Sequence, residues 1–149
     1  LLFEISGSRL LDKKATSLVG IGEIVVKTAN KLQVFRVKDL ILKKGSVIET
    51  PFGKMEIRNI GKTNWGEHPN EISFESNVNL SAIKNVKFTD KSGTTIDSNP
   101  MGMGSLNEVG NLSTLIFEKS YSIAEIPSEI NMDITYWEDM KTRVIPFST

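Results

Sequence analysis

Along this chain the apolar residues recur with a period of two, and no stretch sustains the three-to-four spacing of an amphipathic helix. Ile72 and Phe74 alternate with Glu71, Ser73 and Glu75, and Val86 and Phe88 alternate with Lys87 and Thr89. Ile130, Met132, Ile134 and Tyr136 fall on one parity, opposite Asn131, Asp133 and Thr135. Such alternation predicts strands with one buried face and one wet face. Gly, Asn, Asp, Ser and Pro clusters separate the runs, which is the punctuation of a β-sandwich or barrel. Val, Ile, Thr and Phe carry the apolar load, as half-buried pleated surfaces prefer.

The runs fall into two groups. Residues 1–48 read as a three-stranded β unit, with Leu2 to Leu11 as one strand and a hairpin after it. In that hairpin Glu23 to Thr28 and Leu32 to Val37 flank the turn Thr28-Ala29-Asn30-Lys31, where Asn30 adopts a left-handed conformation cheaply. Three strands with one apolar face are marginal alone, so this unit is expected to pack on or extend the strands of the second group. Lys43-Lys44-Gly45 and Thr50-Pro51-Phe52-Gly53 punctuate the chain and put a boundary near Glu49. Residues 49–149 then carry seven expected strands: Lys54–Ile60, Glu71–Ser76, Lys84–Thr89, Thr94–Asp97, Leu112–Ser122, Ile130–Trp137 and Lys141–Phe147. Asp90-Lys91-Ser92-Gly93 is a tight hairpin turn. Gly102, Gly104 and Gly110 are expected to form a loose linker.

Composition narrows function by exclusion. With 18 basic and 18 acidic residues the net charge is +0, which speaks against nucleic acid as a partner, since neutralising phosphates takes a surplus of Lys and Arg. Cys is absent, so disulfides, thiolate metal sites and cysteine nucleophiles are excluded. No apolar run approaches the ~20 residues of a membrane-spanning helix. The chain opens on Leu1 rather than Met, as expected of a processed or trimmed piece.

Seven short strands in the second group are what an immunoglobulin-like or fibronectin-type sandwich needs. The stretch from Gly53 to Phe147 resembles the immunoglobulin-like modules of exported and cell-envelope bacterial proteins. The resemblance rests on Gly53-Lys54-Met55-Glu56-Ile57, on Ile83-Lys84-Asn85-Val86-Lys87-Phe88 with its Asp90-Lys91-Ser92-Gly93 turn, and on Ile134-Thr135-Tyr136-Trp137 running to Val144-Ile145-Pro146-Phe147. It implies architecture and an extracytoplasmic location (periplasmic, cell-surface or secreted), and it carries no site residue with it.

Candidate chemistry is sparse. His68 is the single histidine, so neither a triad nor a multi-histidine metal site can be assembled, and a solvated loop position is its plainer account. Met101 and Met103 lie two apart and, with His68, suggest a soft Cu(I) site, but a third sulfur ligand is missing. Asp90, Asp97, Asn99, Glu138 and Asp139 invite calcium without the spacing of a known loop, and turn chemistry explains them as well. Glu71, Glu75, Asp133 and Glu138 sit mostly at the polar positions of strands, the mark of a solvated face rather than of a glycosidase pair. Trp65 and Trp137 are the candidate ligand-binding residues. By parity Trp137 stands on the wet face, where it either stacks on a sugar or partner or is covered by the N-terminal strands.

The expectation is therefore an all-β, immunoglobulin-like sandwich with an N-terminal β extension and no catalytic residues, metal or cofactor. Its expected role is a non-enzymatic interaction or structural module binding protein or glycan through a strand edge or an aromatic patch. A carbohydrate-binding module built on Trp65 and Trp137 and an accessory domain of a hydrolase are the alternatives.

Overall fold

The structure, a computed structural model, describes residues 21–107 and 115–148. They form an all-β protein of antiparallel strands, with a single short 3₁₀ turn at Leu80–Ala82 among the described residues. The strands are β1 (Ile21–Thr28), β2 (Leu32–Ile41), β3 (Val47–Thr50), β4 (Gly53–Lys62), β5 (Asn70–Ser76), β6 (Ile83–Thr89), β7 (Thr95–Ile96), β8 (Ser98–Asn107), β9 (Leu115–Ile123), β10 (Glu129–Trp137) and β11 (Lys141–Ser148). The described residues divide into two compact units, one from Ala29 to Met140 and the other made of Ile21–Thr28 with Lys141–Ser148.

The larger unit is a β-sandwich. One sheet has the order β2-β10-β6-β7 and the other the order β3-β4-β5-β9-β8. Period-two alternation sends one side of each strand into a shared core: Ile130, Met132 and Ile134 from β10, Val86 and Phe88 from β6, Met55 and Ile57 from β4, and Ile72 and Phe74 from β5. The Tyr121 ring meets Phe88 edge-on at 5.4 Å and Phe74 at 6.3 Å, so aromatic packing bridges the two sheets.

The smaller unit contributes an antiparallel ribbon, β1 with β11, in which Ile24 stands opposite Ile145 and Val25 opposite Val144. Here the expected hairpin is corrected. Its two strands form at the expected places, but they do not pair with each other: β1 takes β11 as partner and β2 takes β10. The reason lies at the turn. The Asp139 carboxylate accepts the backbone N–H groups of Asn30 and Lys31 at 3.1 and 2.9 Å, and Lys31 forms an ion pair with Glu138. These bonds spend the polar groups of residues 30–31 on the β10–β11 turn rather than on a hairpin. The strand expected over Leu2 to Leu11 lies outside the described residues.

Glu49, the expected boundary, falls inside β3, whose residues pair with β4 from Val47↔Glu56 to Thr50↔Gly53. The clusters around it are turns within one sandwich. Gly45 has φ +86 and donates to the Ile57 carbonyl, while Thr50-Pro51-Phe52-Gly53 closes the β3–β4 hairpin. Lys141–Phe147, expected as the seventh strand of the sandwich, belongs to the ribbon instead. Gly102 and Gly104, expected in a loose linker, lie instead in the edge strand β8, paired with β9 from Ser98↔Ile123 to Asn107↔Leu115, and Gly110 lies outside the described residues. Gly102 and Gly104 lie on the same side as Ser120 and Glu118 in that ladder, where no side chain is needed for packing.

Candidate functional site

The edges of the two sheets differ in how they are closed. β3 is only four residues long. β2 carries Arg36 and Lys38 and a bulge at Lys38-Asp39, where Asp39 has φ +52 and donates its N–H to Asn131 Oδ1 at 3.0 Å. Short length, charge and bulges are the devices by which sheets discourage added strands. β8 has Pro100 and a bulge at Met101 before its regular run.

The edge beside β6 is of another kind. β7 pairs only Ile96 with Phe88 and Thr95 with Thr89. At Asp97 the chain leaves this sheet: the Asp97 carbonyl accepts the Ala124 N–H at 2.9 Å, and Ser98 begins β8 in the other sheet. Among the described residues no strand continues beside Lys84–Lys87, so the sheet is one strand short over more than half of β6. A concavity of about 220 Å³ lies along this edge, lined by Asn85–Phe88 and Thr95–Ser98.

Three lysines lie near β6, of which Lys87 lines the concavity together with Asp97. Lys119 lies on the inner parity of β9, opposite Phe74 of β5, in the row that also holds Phe117 and Tyr121. Its ammonium crosses between the sheets and donates to the Ile83 carbonyl at 2.9 Å. Burial pulls the Lys119 pKa below the ordinary lysine value. Lys87 points outward and is exposed. Lys84 is the extra residue of a bulge in β6, and its ammonium sits 5.3 Å from the centre of the Trp137 ring.

The two tryptophans are not brought together. Trp65 is 78% exposed in the β4–β5 loop, at the Asn70 end of β5. Trp137 is half-buried at the end of β10, opposite Leu32, with Lys84 on its ring. Its neighbour Tyr136 packs on Phe52 at 5.2 Å in the β3–β4 turn, and Gly53 of that turn lies against Val78, just past the far end of β5. β5 has seven residues, so its two ends stand roughly 20 Å apart. One flat two-indole platform is not present.

Around Trp65 the loop is fixed by a close approach. Gly66 has φ +89, and a Cβ built there would lie 2.7 Å from Ser122 Cβ. Beside it Asn99 Nδ2 donates to Glu67 Oε2 at 2.7 Å and to His68 Nε2 at 3.3 Å, and His68 Nε2 stands 3.7 Å from Asp97 Oδ2. Met101 lies against Gly66, whereas Met103 is two residues further along the edge and exposed.

The carboxylates are dispersed. Glu75 is paired with Arg58 on the outer face of the five-stranded sheet, Asp133 with Arg36 on that of the other, and Glu138 with Lys31 beyond the end of β10. Asp90 accepts Ser92 Oγ at 2.7 Å and the Thr94 N–H at 2.8 Å, bonds that hold its pKa below the usual carboxylate value and build a turn. Among the described residues no three His, Cys, Asp or Glu side chains are grouped to hold a metal ion, and no helix is long and apolar enough to cross a membrane.

The unpaired edge of β6 and the inward lysine were not anticipated from sequence. Lys119 had a readable signal, since it occupies the apolar parity between Phe117 and Tyr121. The point at which the chain changes sheets had none. Compared with known proteins, the chain matches no family model, no curated protein and no solved structure. Fold and site therefore define it as an antiparallel β-sandwich in which, among the described residues, one sheet has an unpaired stretch along β6.

Proposed function

We propose that this protein is a non-enzymatic interaction module of an exported or cell-envelope protein, of the immunoglobulin-like type, which takes its partner as an added β-strand. The single observation that carries this reading is that, among the described residues, β6 has no partner strand over Lys84–Lys87, where β7 has turned away after two residues. An extended segment laid there gains main-chain hydrogen bonds along its length and sets alternate side chains toward the core. The extracytoplasmic assignment is supported by the resemblance of Gly53 to Phe147 to such modules.

The test is hydrogen exchange with a neutral extended peptide in which valine alternates with threonine. Protection of the amides of Lys84–Lys87 is the expected result. Protection confined to β2, β3 or β8, or none at millimolar peptide, overturns the strand-addition site.

One observation favours a second reading, glycan binding at a single aromatic. Trp65 stands 78% exposed on a loop held by Gly66, with Glu67 and Asn99 nearby as hydrogen-bonding groups. An exposed indole beside polar side chains matches what a sugar ring requires, an apolar face bordered by donors and acceptors.

A further inference from the structure

The ribbon of β1 and β11 consists of two strands, fewer than the three or more that let a sheet stand by itself. On one of its faces Glu23, Val25 and Lys27 stand opposite Pro146, Val144 and Thr142. That face is apolar at its centre and open to water, Val25 being 60% and Val144 52% exposed. On the other face Ile24 stands opposite Ile145, and Val26 opposite Arg143. Among the described residues neither strand has a second partner, so each presents one edge without a ladder.

The two edges differ in what they admit. β11 carries Lys141, Arg143 and Pro146, and two cations with a residue lacking an N–H discourage an added strand. β1 has no proline, and its two charges are of opposite sign and equally spaced about Val25, with Glu23 before it and Lys27 after it. An antiparallel copy centred on Val25 therefore sets Glu23 opposite Lys27 at both ends of the pairing. Val25 meets Val25 between them, and Ile24 meets Val26 on the other face. Charges that repel a strand of another pattern match on this one, and each opposed pair adds to the main-chain bonds.

We infer that the β1 edge binds a second copy of this chain about a two-fold axis at Val25, joining two ribbons into one four-stranded antiparallel sheet. The contact is isologous, so it closes at the dimer. One strand pair of eight residues is smaller than a stable interface of ~1,200 Å² or more, so the dimer forms at micromolar concentration or above. It does not depend on strand addition beside β6.

The experiment follows the full chain by sedimentation velocity from micromolar to millimolar concentration, where monomer is expected to pass to dimer and no further. Glu23→Lys and Lys27→Glu each set like charges opposite one another at both ends and are each expected to weaken the dimer about tenfold. Mixed in equal amounts they again oppose lysine to glutamate, and the mixture is expected to recover wild-type association. Two misfolded variants would not rescue each other, so recovery separates lost pairing from lost folding. The register is read by cross-linking, for which a chain without Cys is a clean background. With a short bis-maleimide, Val25→Cys is expected to link to itself, and Glu23→Cys to link to Lys27→Cys in preference to itself. A wild-type chain that stays monomeric at millimolar concentration gives the edge to another segment of the same chain and overturns the inference. Growth beyond the dimer overturns the two-fold axis. Association that both charge variants leave unchanged moves the contact to another edge, such as the uncharged β8, and overturns the inference as well.

Discussion

The ammonium of Lys119 donates 2.9 Å to the Ile83 carbonyl, tying the inner row of one sheet to the first residue of β6 in the other. Two effects compete there: the ammonium loses water, and the carbonyl gains a donor. The carbonyl supplies a single bond, whereas burial lowers the Lys119 pKa, so desolvation outweighs it. Lys119→Met is expected to raise stability at pH 7 by about 1 kcal/mol in urea unfolding. The sign with pH follows from the direction of the shift. The folded-state pKa lies below the ordinary 10.5, so the unfolded chain holds the proton more tightly and wild-type stability rises with pH through this window. The gap between wild type and Lys119→Met therefore narrows as pH rises through the lowered value and closes above 10.5. A Lys119→Met protein less stable than wild type at pH 7, with the deficit shrinking as pH rises past 10.5, would show that the carbonyl bond outweighs burial.

Tyr121 stacks edge-on against Phe88 and Phe74, yet its hydroxyl is buried without a hydrogen-bond partner among the described residues. Burial also pushes its pKa well above the ordinary tyrosine value, so the group stays a neutral, unsatisfied phenol. Tyr121→Phe keeps both ring contacts and deletes the orphan oxygen. Stability is expected to be unchanged or to rise by about 1 kcal/mol, whereas Tyr121→Ala is expected to cost roughly 3–5 kcal/mol by opening a cavity. A loss of more than ~1 kcal/mol in Tyr121→Phe would reveal a partner for the hydroxyl.

Gly66 and Ser122 approach so closely that the loop and the sheet cannot both keep their places if a methyl is added. Gly66→Ala meets Ser122 Cβ at 2.7 Å and is strained at φ +89. The expected cost is about 2–3 kcal/mol, combining left-handed strain with the clash. Ser122→Gly in the same chain is expected to recover the clash but not the strain, leaving a residual deficit of about 1 kcal/mol. Full recovery would place the whole cost in the contact.

Much of this fold was legible in local alternation. β10 runs from Glu129 to Trp137 with Ile130, Met132, Ile134 and Tyr136 buried and their neighbours half-exposed, as period two requires. β8 was hidden because Gly102 and Gly104 occupy the positions whose side chains would have shown the period. Pairing was harder to read than strand existence. β1 and β2 lie four residues apart in sequence, yet their partners are β11 and β10, 88 residues or more away, chosen by contacts at Asp139 and Glu138 that no window around Asn30 contains. The candidate site shows the same division. Lys119 was visible by parity, but the stretch of β6 that is unpaired among the described residues follows from the chain changing sheets at Asp97.

The two indoles differ enough to be told apart in solution. Trp137→Phe leaves Trp65, whose exposed ring should be quenched by acrylamide nearly as fast as a free indole, with red-shifted emission. Trp65→Phe leaves Trp137, half-buried beneath Lys84, and quenching should be clearly slower. Adding Lys84→Ala to that variant uncovers one ring face and should speed quenching without disturbing the fold, because Lys84 is the bulged, outward residue of β6. A neutral quencher is needed, since iodide would be drawn to the lysine itself. The same pair of variants separates the two binding readings. An oligosaccharide that stacks on Trp65 should shift emission in Trp137→Phe and leave Trp65→Phe silent, while a strand added beside β6 should do the reverse. A sugar that shifts both variants equally would contradict the roughly 20 Å separation along β5 and with it the placement of the two tryptophans at opposite ends of the sandwich.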